Sequence, residues 1–363
     1  MKFQALLTVG LIMVAGAANA QDLPAGYPAD YSSLVAKAKA EGSLLIYTNL
    51  SQDNVGPVIT AFNKAYPDIK VESLEMGPSE AFTRYRAEEG TGVSSADILI
   101  ANTIVDWTSA VKEGLVQDYQ SPEIASLPDW SHPAPGLYTF STDPMVTIYN
   151  KMTVPENLRA DTMEGLLTNV TTHPDVFGGK VGTYDGRYAF GGALNYAFVE
   201  RHGDQAWKWF EEAGPSIKPG GGAGAMIERT LSGELSAAYF VSAPVVWSKM
   251  ADGLDAIIDW NFPKDGTVVF PRGIGITAKA NHPAAAKVFL DFVLSQKGQE
   301  AVGDGKLTPY RPGLEAKGAL SYSLDEVAKA VGGEKNLIII NYDPKMIDDN
   351  AAFTARWGKA FNM

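Results

Sequence analysis

The chain has 363 residues, a formal net charge of −12 and no cysteine. The acidic balance argues against a nucleic-acid partner, because binding a phosphate backbone needs a basic face. Without cysteine there is no disulfide, thiol nucleophile or thiolate metal site, so a chain of this length relies on a large core, usually divided between two domains.

Residues 1–20 contain the three parts of a secretory signal peptide in order. Lys2 gives the positive start, residues 5–15 form an apolar run, and Ala18-Asn19-Ala20 fits a small-x-small cleavage site. The run is shorter than the roughly 20 residues that span a bilayer. We therefore expect cleavage after Ala20 and a mature protein in the periplasm.

The first structural unit begins at residue 43. Residues 43–48 are a nearly unbroken apolar run, which is typical of a strand buried on both faces. The helix that follows has one apolar stripe, formed by Val55, Val58, Ile59 and Phe62. We expect Asn54 to cap this helix and Pro57 to lie in its first turn. The loop at residues 49–54 is the first candidate binding segment, since open α/β sheets bind ligands where strands end. An ordinary polar turn is the alternative.

Two further strand–loop–helix units follow. Residues 70–75 alternate as a strand before a helix capped by Ser79, and residues 96–100 form a third strand before another helix. Three such units in a row imply right-handed crossovers and a mainly parallel sheet. The polar residues that follow the strands should therefore lie near one edge of the sheet: Asn49, Ser51, Ser79, Asn102 and Thr103.

The second half of the chain is typical of a second α/β domain. Residues 145–149 predict a lone strand that crosses into it, and residues 266–278 predict strands that return to the first domain. We expect one lobe at residues 21–143 and 267–304, and the other lobe at residues 144–266 and 305–363.

Arg187 and Tyr188 lie in a turn before a predicted helix of this second domain. A guanidinium in such a turn can bind a carboxylate or a phosphate bidentately. The alternative is a solvated arginine paired with Asp185. The aromatic residues on either side of Arg187 favour the binding role.

The glycine-rich stretch at residues 220–225 formally matches a GxGxxA pattern. The match is weak evidence for a dinucleotide, because residues 216–219 before it make a poor strand. Gly222 and Gly224 either present backbone N–H groups to an anion at a helix start or form a flexible turn.

Residues 235–241 predict another strand, with Tyr239 and Phe240 near its carboxyl end. Their side chains alternate between the two faces, so at least one of them belongs to the core.

Catalytic and metal motifs are mostly absent. The sequence has no HExxH, GxSxG or full Walker A pattern. It has four histidines, none with metal-ligand spacing to another, which favours surface or capping roles. We expect no catalytic residue, metal site or cofactor.

The order of these elements resembles the periplasmic solute-binding proteins of ABC importers, in the branch that includes ferric-ion binders. The resemblance covers nearly all of the mature chain. The stretches that carry it are residues 45–48, 58–67, 77–88, 96–100, 148–151, 179–182, 232–238 and 274–298.

The resemblance implies a type II two-lobed α/β fold. In this fold each lobe is a mainly parallel sheet flanked by helices, crossing hinge strands join the lobes, and a ligand binds in the cleft. It also implies a monomer that delivers a small solute to an ABC permease in the inner membrane. The positions similar to the family's ligand contacts are Asn49, Ser51, Ser79, Asn102 and Thr103 in the first lobe, and Arg187, Tyr188, Gly222, Gly224, Tyr239 and Ser242 in the second.

One departure from the ferric branch bears on the ligand. Ferric binders carry adjacent tyrosines just after the strand that matches residues 235–241, whereas this chain has no tyrosine pair at residues 241–247. We therefore predict a small organic anion as the ligand. A ferric ion bound with an anion, and an exported two-lobed enzyme, are the alternatives.

Overall fold

A computed structural model describes residues 26–91, 95–250, 253–315 and 321–363. The predicted signal peptide lies outside the described residues. None of the helices within those ranges has the length and apolar character needed to cross a membrane.

The described residues form ten strands, and long helices cover them. The strands are β1 (Ser43–Thr48), β2 (Lys70–Glu75), β3 (Ile98–Ala101), β4 (Leu137–Asn150), β5 (Val181–Thr183), β6 (Ile217–Pro219), β7 (Ala237–Ser242), β8 (Ile258–Asn261), β9 (Thr267–Ile276) and β10 (Leu337–Ile339). The α-helices are α1 (Tyr31–Glu41), α2 (Gln52–Ala65), α3 (Pro78–Glu89), α4 (Ile104–Lys112), α5 (Met163–Thr172), α6 (Pro174–Phe177), α7 (Ala189–His202), α8 (Asp204–Ala213), α9 (Ala223–Leu231), α10 (Ala243–Met250), α11 (Pro283–Leu294), α12 (Gln296–Asp304), α13 (Leu324–Ala330) and α14 (Pro344–Ala360).

The strands fall into two groups joined by two long strands. The order is β2-β1-β3-β9-β4-β7-β5-β6, with β10 paired to β9 and β8 paired to β4. Strands β1, β2 and β3 pair in parallel, and so do β5, β6 and β7. The two parallel groups are the sheets of two lobes, and β4 and β9 run antiparallel between them.

Strand β4 changes partner in the middle of its length. Residues Leu137 to Pro144 pair with β9, whereas Met145 to Asn150 pair with β7 and β8. The lone strand expected at residues 145–149 is thus the second half of a 14-residue strand. A continuous strand with different partners at its two ends links two sheets without a loop, which is the geometry of a hinge.

The first lobe is buried on both faces of its sheet, as the apolar run of β1 predicts. Ile46 and Ile98 point to a core cluster that includes Phe62 of α2. Tyr47 and Leu99 point to the opposite cluster, where they meet side chains from α3 and α4. Alternate side chains of a strand face opposite sides of the sheet, so helices on both sides must cover it.

Two helices begin earlier than the sequence suggested. Helix α2 begins at Gln52 with Ser51 at its N-cap, so the expected cap at Asn54 is wrong and Pro57 is the sixth residue, in the second turn. Helix α3 begins at Pro78, so Ser79 lies inside it and does not cap it. An apolar stripe marks where a helix packs, and an exposed polar first turn lies outside that stripe.

Strand β6 forms where the sequence predicts no good strand, just before the glycine run. Residues 217–219 pair in parallel with β5, although the sequence there is a poor strand. The partner strand supplies the hydrogen bonds that local propensity does not predict. Pro219 is tolerated because β6 lies at the edge of the sheet.

Asp291 of α11 gives the first lobe a pH-dependent stability. Its buried carboxylate accepts hydrogen bonds from the Tyr31 and Tyr119 hydroxyls, both at 2.7 Å. Burial raises its pKa to about 6, against the opposing effect of these hydrogen bonds. Because the folded pKa exceeds the unfolded value, this contribution to stability is complete below about pH 4 and is lost as the pH rises through 6.

We expect Asp291→Asn to remove this part of the pH dependence. From pH 4 to pH 7 the wild-type free energy of unfolding should fall relative to that of the variant by about 2 kcal/mol. Urea unfolding of both proteins at four pH values measures the difference. Parallel curves across this range would contradict the assignment.

Candidate functional site

A cleft of about 690 Å³ lies between the two lobes. Its polar and charged lining comes from both sheets and from the strands that join them: Asn49, Ser51, Asp53, Asn54, Ser79, Asn102, Thr103, Thr142, Asp143, Tyr184, Ser242, Ser248, Lys249, Arg272 and Lys306. The carboxyl ends of β1 and β3 open into this cleft, as expected for parallel strands.

The N-terminal ends of six helices contribute residues to the cleft lining. Residues at the N-cap or in the first turn of α2, α3, α4, α7, α9 and α10 all belong to the lining: Ser51, Asp53, Asn54, Pro78, Ser79, Thr103, Ile104, Ala189, Phe190, Ala223, Pro244 and Val245. The first turn of a helix carries unpaired N–H groups and the positive end of the helix dipole. The cleft is therefore electrostatically suited to a negative ligand.

Arg272 of β9 lies at the base of the cleft and is only 8% exposed. Its Nη1 donates to Asn49 Oδ1 at 2.5 Å, and Asn49 Nδ2 donates to Asn102 Oδ1 at 2.7 Å. Its Nε is buried without a hydrogen-bond partner. Burial lowers the pKa of Arg272 below its usual value, and the charge of Asp143 opposes this effect.

Among the ion pairs of the described residues, none joins Arg272 to a carboxylate. A buried guanidinium usually has such a partner, because removing a charge from water is costly. The charge of Arg272 is thus offset by the more distant Asp143 and by the hydrogen bond to Asn49, without a direct ion pair in the described residues.

Asp143 of β4 is an acidic residue of the same sheet whose charge acts on Arg272. It lies opposite Phe270, and Arg272 is two residues farther along β9, so the two charges share one face as diagonal neighbours. The carboxylate accepts a hydrogen bond from Ser242 Oγ, at 2.7 Å to Oδ1 and 3.0 Å to Oδ2. Burial raises the pKa of Asp143 to about 6, against the effects of Ser242 and Arg272.

Three aromatic rings form an apolar wall on one side of the cleft. The rings of Tyr184 and Phe190 make an edge-to-face contact with centroids 5.0 Å apart, and those of Phe190 and Phe270 stack at 4.9 Å. Burial, together with the nearby Asp143, raises the pKa of the Tyr184 hydroxyl, which keeps this group neutral. The wall can pack against the organic part of a ligand.

The charges of the lining add up to a local positive excess. Lys249, Arg272 and Lys306 oppose Asp53 and Asp143. Lys306 follows Gly305, whose carbonyl accepts a hydrogen bond from Asn54 Nδ2 at 2.9 Å. The lining therefore carries a small positive excess in a chain whose net charge is −12.

The sequence profile of the family described as bacterial extracellular solute-binding protein matches residues 58–347. The chain belongs to this family. The solute-binding role predicted from the sequence is therefore confirmed, and the family is one of binding proteins rather than enzymes. The sequence has no significant match among curated proteins.

Solved structures show the same fold. The substrate-binding protein of an ABC transporter from Agrobacterium tumefaciens is 21% identical, with a TM-score of 0.72 over 88% of this chain and 94% of that one. AfuA from Actinobacillus pleuropneumoniae, with fructose-6-phosphate bound, is 20% identical, with a TM-score of 0.67 over 89% of this chain and 99% of its own. The Trichodesmium protein IdiA (FutA), in complex with iron and citrate, is 19% identical, with a TM-score of 0.68 over 88% and 99%. The expected two-lobed α/β fold is confirmed.

The structure brings all five polar residues predicted in the first lobe of this solute-binding protein into the cleft lining: Asn49, Ser51, Ser79, Asn102 and Thr103. All five already make side-chain hydrogen bonds within the protein, Asn49 and Asn102 with each other and Ser51 with Asn54. Ser79 Oγ and Thr103 Oγ1 both donate to Asp106 Oδ2, at 2.6 and 2.8 Å. These hydrogen bonds fix the start of α4 against α3.

In the second lobe the structure brings Ser242 to the cleft but places the other predicted residues elsewhere. Arg187 forms a bidentate pair with Asp185, with Nε to Oδ1 at 3.0 Å and Nη2 to Oδ2 at 2.7 Å. Tyr188 is 71% exposed and does not line the cleft. The geometry thus agrees with the alternative role for Arg187, a loop arginine paired with Asp185. The carboxylate two residues away in the sequence occupies its guanidinium.

The glycine run and Tyr239 also lie outside the cleft lining. Gly222 is the N-cap of α9 and Gly224 is its second residue, and of this turn only Ala223 lines the cleft. Tyr239 is fully buried, with its ring 5.0 Å from that of Phe240. Both aromatic residues of β7 are therefore core residues, since helices cover both faces of the sheet.

The sequence reasoning missed Arg272 and Asp143. Each is the single charged residue of a long, otherwise uncharged strand, β9 or β4. A charge within a strand buried on both faces is a signal that could have singled them out, because such a position is costly without a functional reason.

Proposed function

We propose that this solute-binding protein is the substrate-binding component of an ABC importer, and that it captures a small organic anion between its lobes for delivery to the permease. The observation that carries the proposal is Arg272, a buried guanidinium of the cleft lining that has no ion-pair partner among the described residues and whose buried Nε makes no hydrogen bond. A ligand anion compensates this charge inside the cleft, where the interaction is stronger than in water.

The surroundings of Arg272 support the same ligand class. The first turns of six helices and two further cations, Lys249 and Lys306, contribute to the cleft lining. Two proteins of similar fold were solved with organic anions, fructose-6-phosphate in one case and citrate with iron in the other. The aromatic wall of Tyr184, Phe190 and Phe270 packs against the carbon skeleton of such a ligand.

The ligand is captured when the two lobes close over it, with the strands that join them acting as the hinge. We propose lobe ranges of 21–143 with 267–304 and 144–266 with 305–363, supported by the change of partner of β4 between Pro144 and Met145. Closure removes water from the ligand and strengthens its contacts with both lobes. The protein acts as a monomer in the periplasm after cleavage at Ala20.

Native mass spectrometry tests the ligand class. Protein purified from its own periplasm should carry a small organic acid, and the added mass should disappear after unfolding and refolding. A bound neutral sugar or a cationic peptide would contradict the proposal. One iron with one small anion would support the ferric alternative instead.

The ferric alternative makes a separate spectroscopic prediction. The described residues that line the cleft include one tyrosine, Tyr184, and no histidine, so a pair of phenolate ligands is not assembled there. We expect no visible charge-transfer band when ferric citrate is added to the refolded protein. A band that persists in the Tyr184→Phe variant would overturn this prediction and locate the phenolates elsewhere.

One cluster of side chains outside the cleft has the geometry of a catalytic triad. Ser43 Oγ lies 2.8 Å from His282 Nε2, and His282 Nδ1 lies 2.9 Å from Asp97 Oδ2, in the order of a serine–histidine–aspartate triad. Ser43 is the first residue of β1, at the end opposite the cleft. Asp97 also accepts hydrogen bonds from the backbone of Leu45 and His282. The three side chains therefore join α11 to the sheet, and the cleft does not include them.

A further inference from the structure

We infer that the ligand is a zwitterion, with its anionic group on Arg272 and an ammonium group on the carboxylate of Asp143. The inference rests on the proposed function and goes one step beyond it, from an anion to an anion that also carries a positive charge. Its basis is the pair of opposite charges that line one cleft from adjacent strands without pairing with each other.

The separation of the two charges is set by strand register. Asp143 is opposite Phe270, and Arg272 lies diagonally across the same face of the antiparallel pair. Diagonal neighbours of this kind have Cα atoms about 7–8 Å apart. No ion pair within 4.0 Å joins the two side chains in the described structure. A ligand with opposite charges a few bonds apart can contact both groups at once.

Asp143 also has unused capacity as an acceptor. An ionised carboxylate has about four acceptor sites, and Ser242 Oγ is the hydrogen-bond donor that the described residues supply. A ligand hydroxyl would fill an acceptor site but leave the negative charge uncompensated. An ammonium group does both, and its charge-assisted hydrogen bonds are roughly twice as strong as neutral ones.

The other groups around Asp143 do not supply this positive charge by direct contact. Tyr184, from the segment after β5, is held neutral by burial. Lys249 of α10 and Lys306 line the same cleft, but both are exposed, and no hydrogen bond or ion pair joins either to Asp143 in the described residues. The raised pKa of Asp143 agrees with a carboxylate whose compensation is incomplete.

Matched probes test the inference directly. The first set is 2-aminoethyl phosphate, 2-hydroxyethyl phosphate and ethyl phosphate, and the second is 3-aminopropionate, 3-hydroxypropionate and propionate. Binding to refolded protein is measured by saturation-transfer NMR and calorimetry. In each set we expect the ammonium compound to bind at least tenfold more tightly than the compound with a methyl group.

Variants assign the preference to its residue. Asp143→Asn keeps an acceptor for Ser242 but removes the charge, so the ammonium compound should lose at least tenfold in affinity and the methyl compound should lose nothing. Arg272→Gln should weaken all six compounds. Asp175→Asn removes an exposed carboxylate of α6 outside the cleft and should change none of them.

A pH series gives a second readout that needs no variant. No histidine lines the cleft in the described residues, so Asp143 is the group expected to change charge there between pH 7.5 and 5.5. The preference of the wild-type protein for 3-aminopropionate over propionate should shrink as the pH falls through about 6.

The outcomes separate this inference from the proposed function. If the simple anions bind through Arg272 and the ammonium group adds nothing, the zwitterion is wrong and the anion receptor stands. If the hydroxyl compounds bind best, the ligand is a hydroxylated anion and the inference is overturned. If none of the six probes binds the wild-type protein, both are overturned.

Discussion

Arg272→Gln should weaken capture of the ligand by at least tenfold. The substitution removes a buried guanidinium of the cleft lining that has no ion-pair partner in the described structure and whose side-chain hydrogen bond goes to Asn49. Charge-assisted hydrogen bonds of this kind contribute about 1.5–3 kcal/mol, so the ligand should bind roughly 10- to 150-fold more weakly. Calorimetry with the compound released from the native protein, or with ethyl phosphate as a probe, measures the loss.

Arg187→Gln is the matched control for this experiment. This substitution also removes one arginine charge from the protein. Arg187, however, is paired with Asp185 and does not line the cleft. The ligand should bind this variant within twofold of the wild-type affinity. Equal losses in the two variants would mean that the effect comes from the net charge of the protein, and would remove Arg272 from the site.

The stability of Arg272→Gln separates a binding role from a structural one. A buried charge without a carboxylate partner disfavours the folded state, so its removal should leave the urea midpoint of the ligand-free protein unchanged or higher. A large drop in the midpoint would show that the hydrogen bond to Asn49 is needed for folding, and the affinity loss could then not be assigned to ligand contact.

Trp107→Ala should cost about 3–5 kcal/mol of unfolding free energy, as expected for deleting a large buried aromatic side chain. Trp107 of α4 is fully buried, packs edge-on against Phe82 at 4.9 Å and donates from Nε1 to the carbonyl of Ala101 at 3.0 Å. It also lies over Gly273, where an added Cβ would be 2.3 Å from Nε1. The indole therefore supports β9 at the residue after Arg272.

Urea unfolding of Trp107→Ala and Trp107→Phe measures this contribution. The phenylalanine variant keeps a ring against Phe82 and should lose less than half as much. Ligand affinity should fall in the alanine variant even at low temperature, because the strand that carries Arg272 loses its support. A loss of stability below 1 kcal/mol would contradict the packing role.

The sequence was sufficient to predict the polar cleft residues of the first lobe, because the patterns that indicate them are local. A buried strand, a polar turn and an amphipathic helix repeat three times, and right-handed parallel crossovers place all three turns at one sheet edge. Asn49, Ser79 and Asn102 lie in the cleft lining for that reason. Their position follows from topology alone and needs no knowledge of side-chain contacts.

The second lobe shows where local signals fail. Arg187, Tyr188 and Tyr239 were chosen by residue type and by nearness to a predicted turn or strand end. Arg187 forms an ion pair with Asp185, two residues away in the sequence. Tyr188 is exposed to solvent, and Tyr239 is buried in the core. Which neighbour a side chain meets depends on elements that are distant in sequence, and periodicity carries no information about them.

The amino-acid sequence by itself determined the α/β class, the two lobes, the solute-binding family and the polar edge of the first lobe. It did so because burial periodicity and element order are properties of neighbouring residues. Only the tertiary structure decided the charged centre of the cleft. Arg272 and Asp143 lie diagonally across β9 and β4 because two antiparallel strands join the lobes. The register of these strands, set by the packing of both sheets, leaves the two opposite charges in one cleft lining without a direct ion pair.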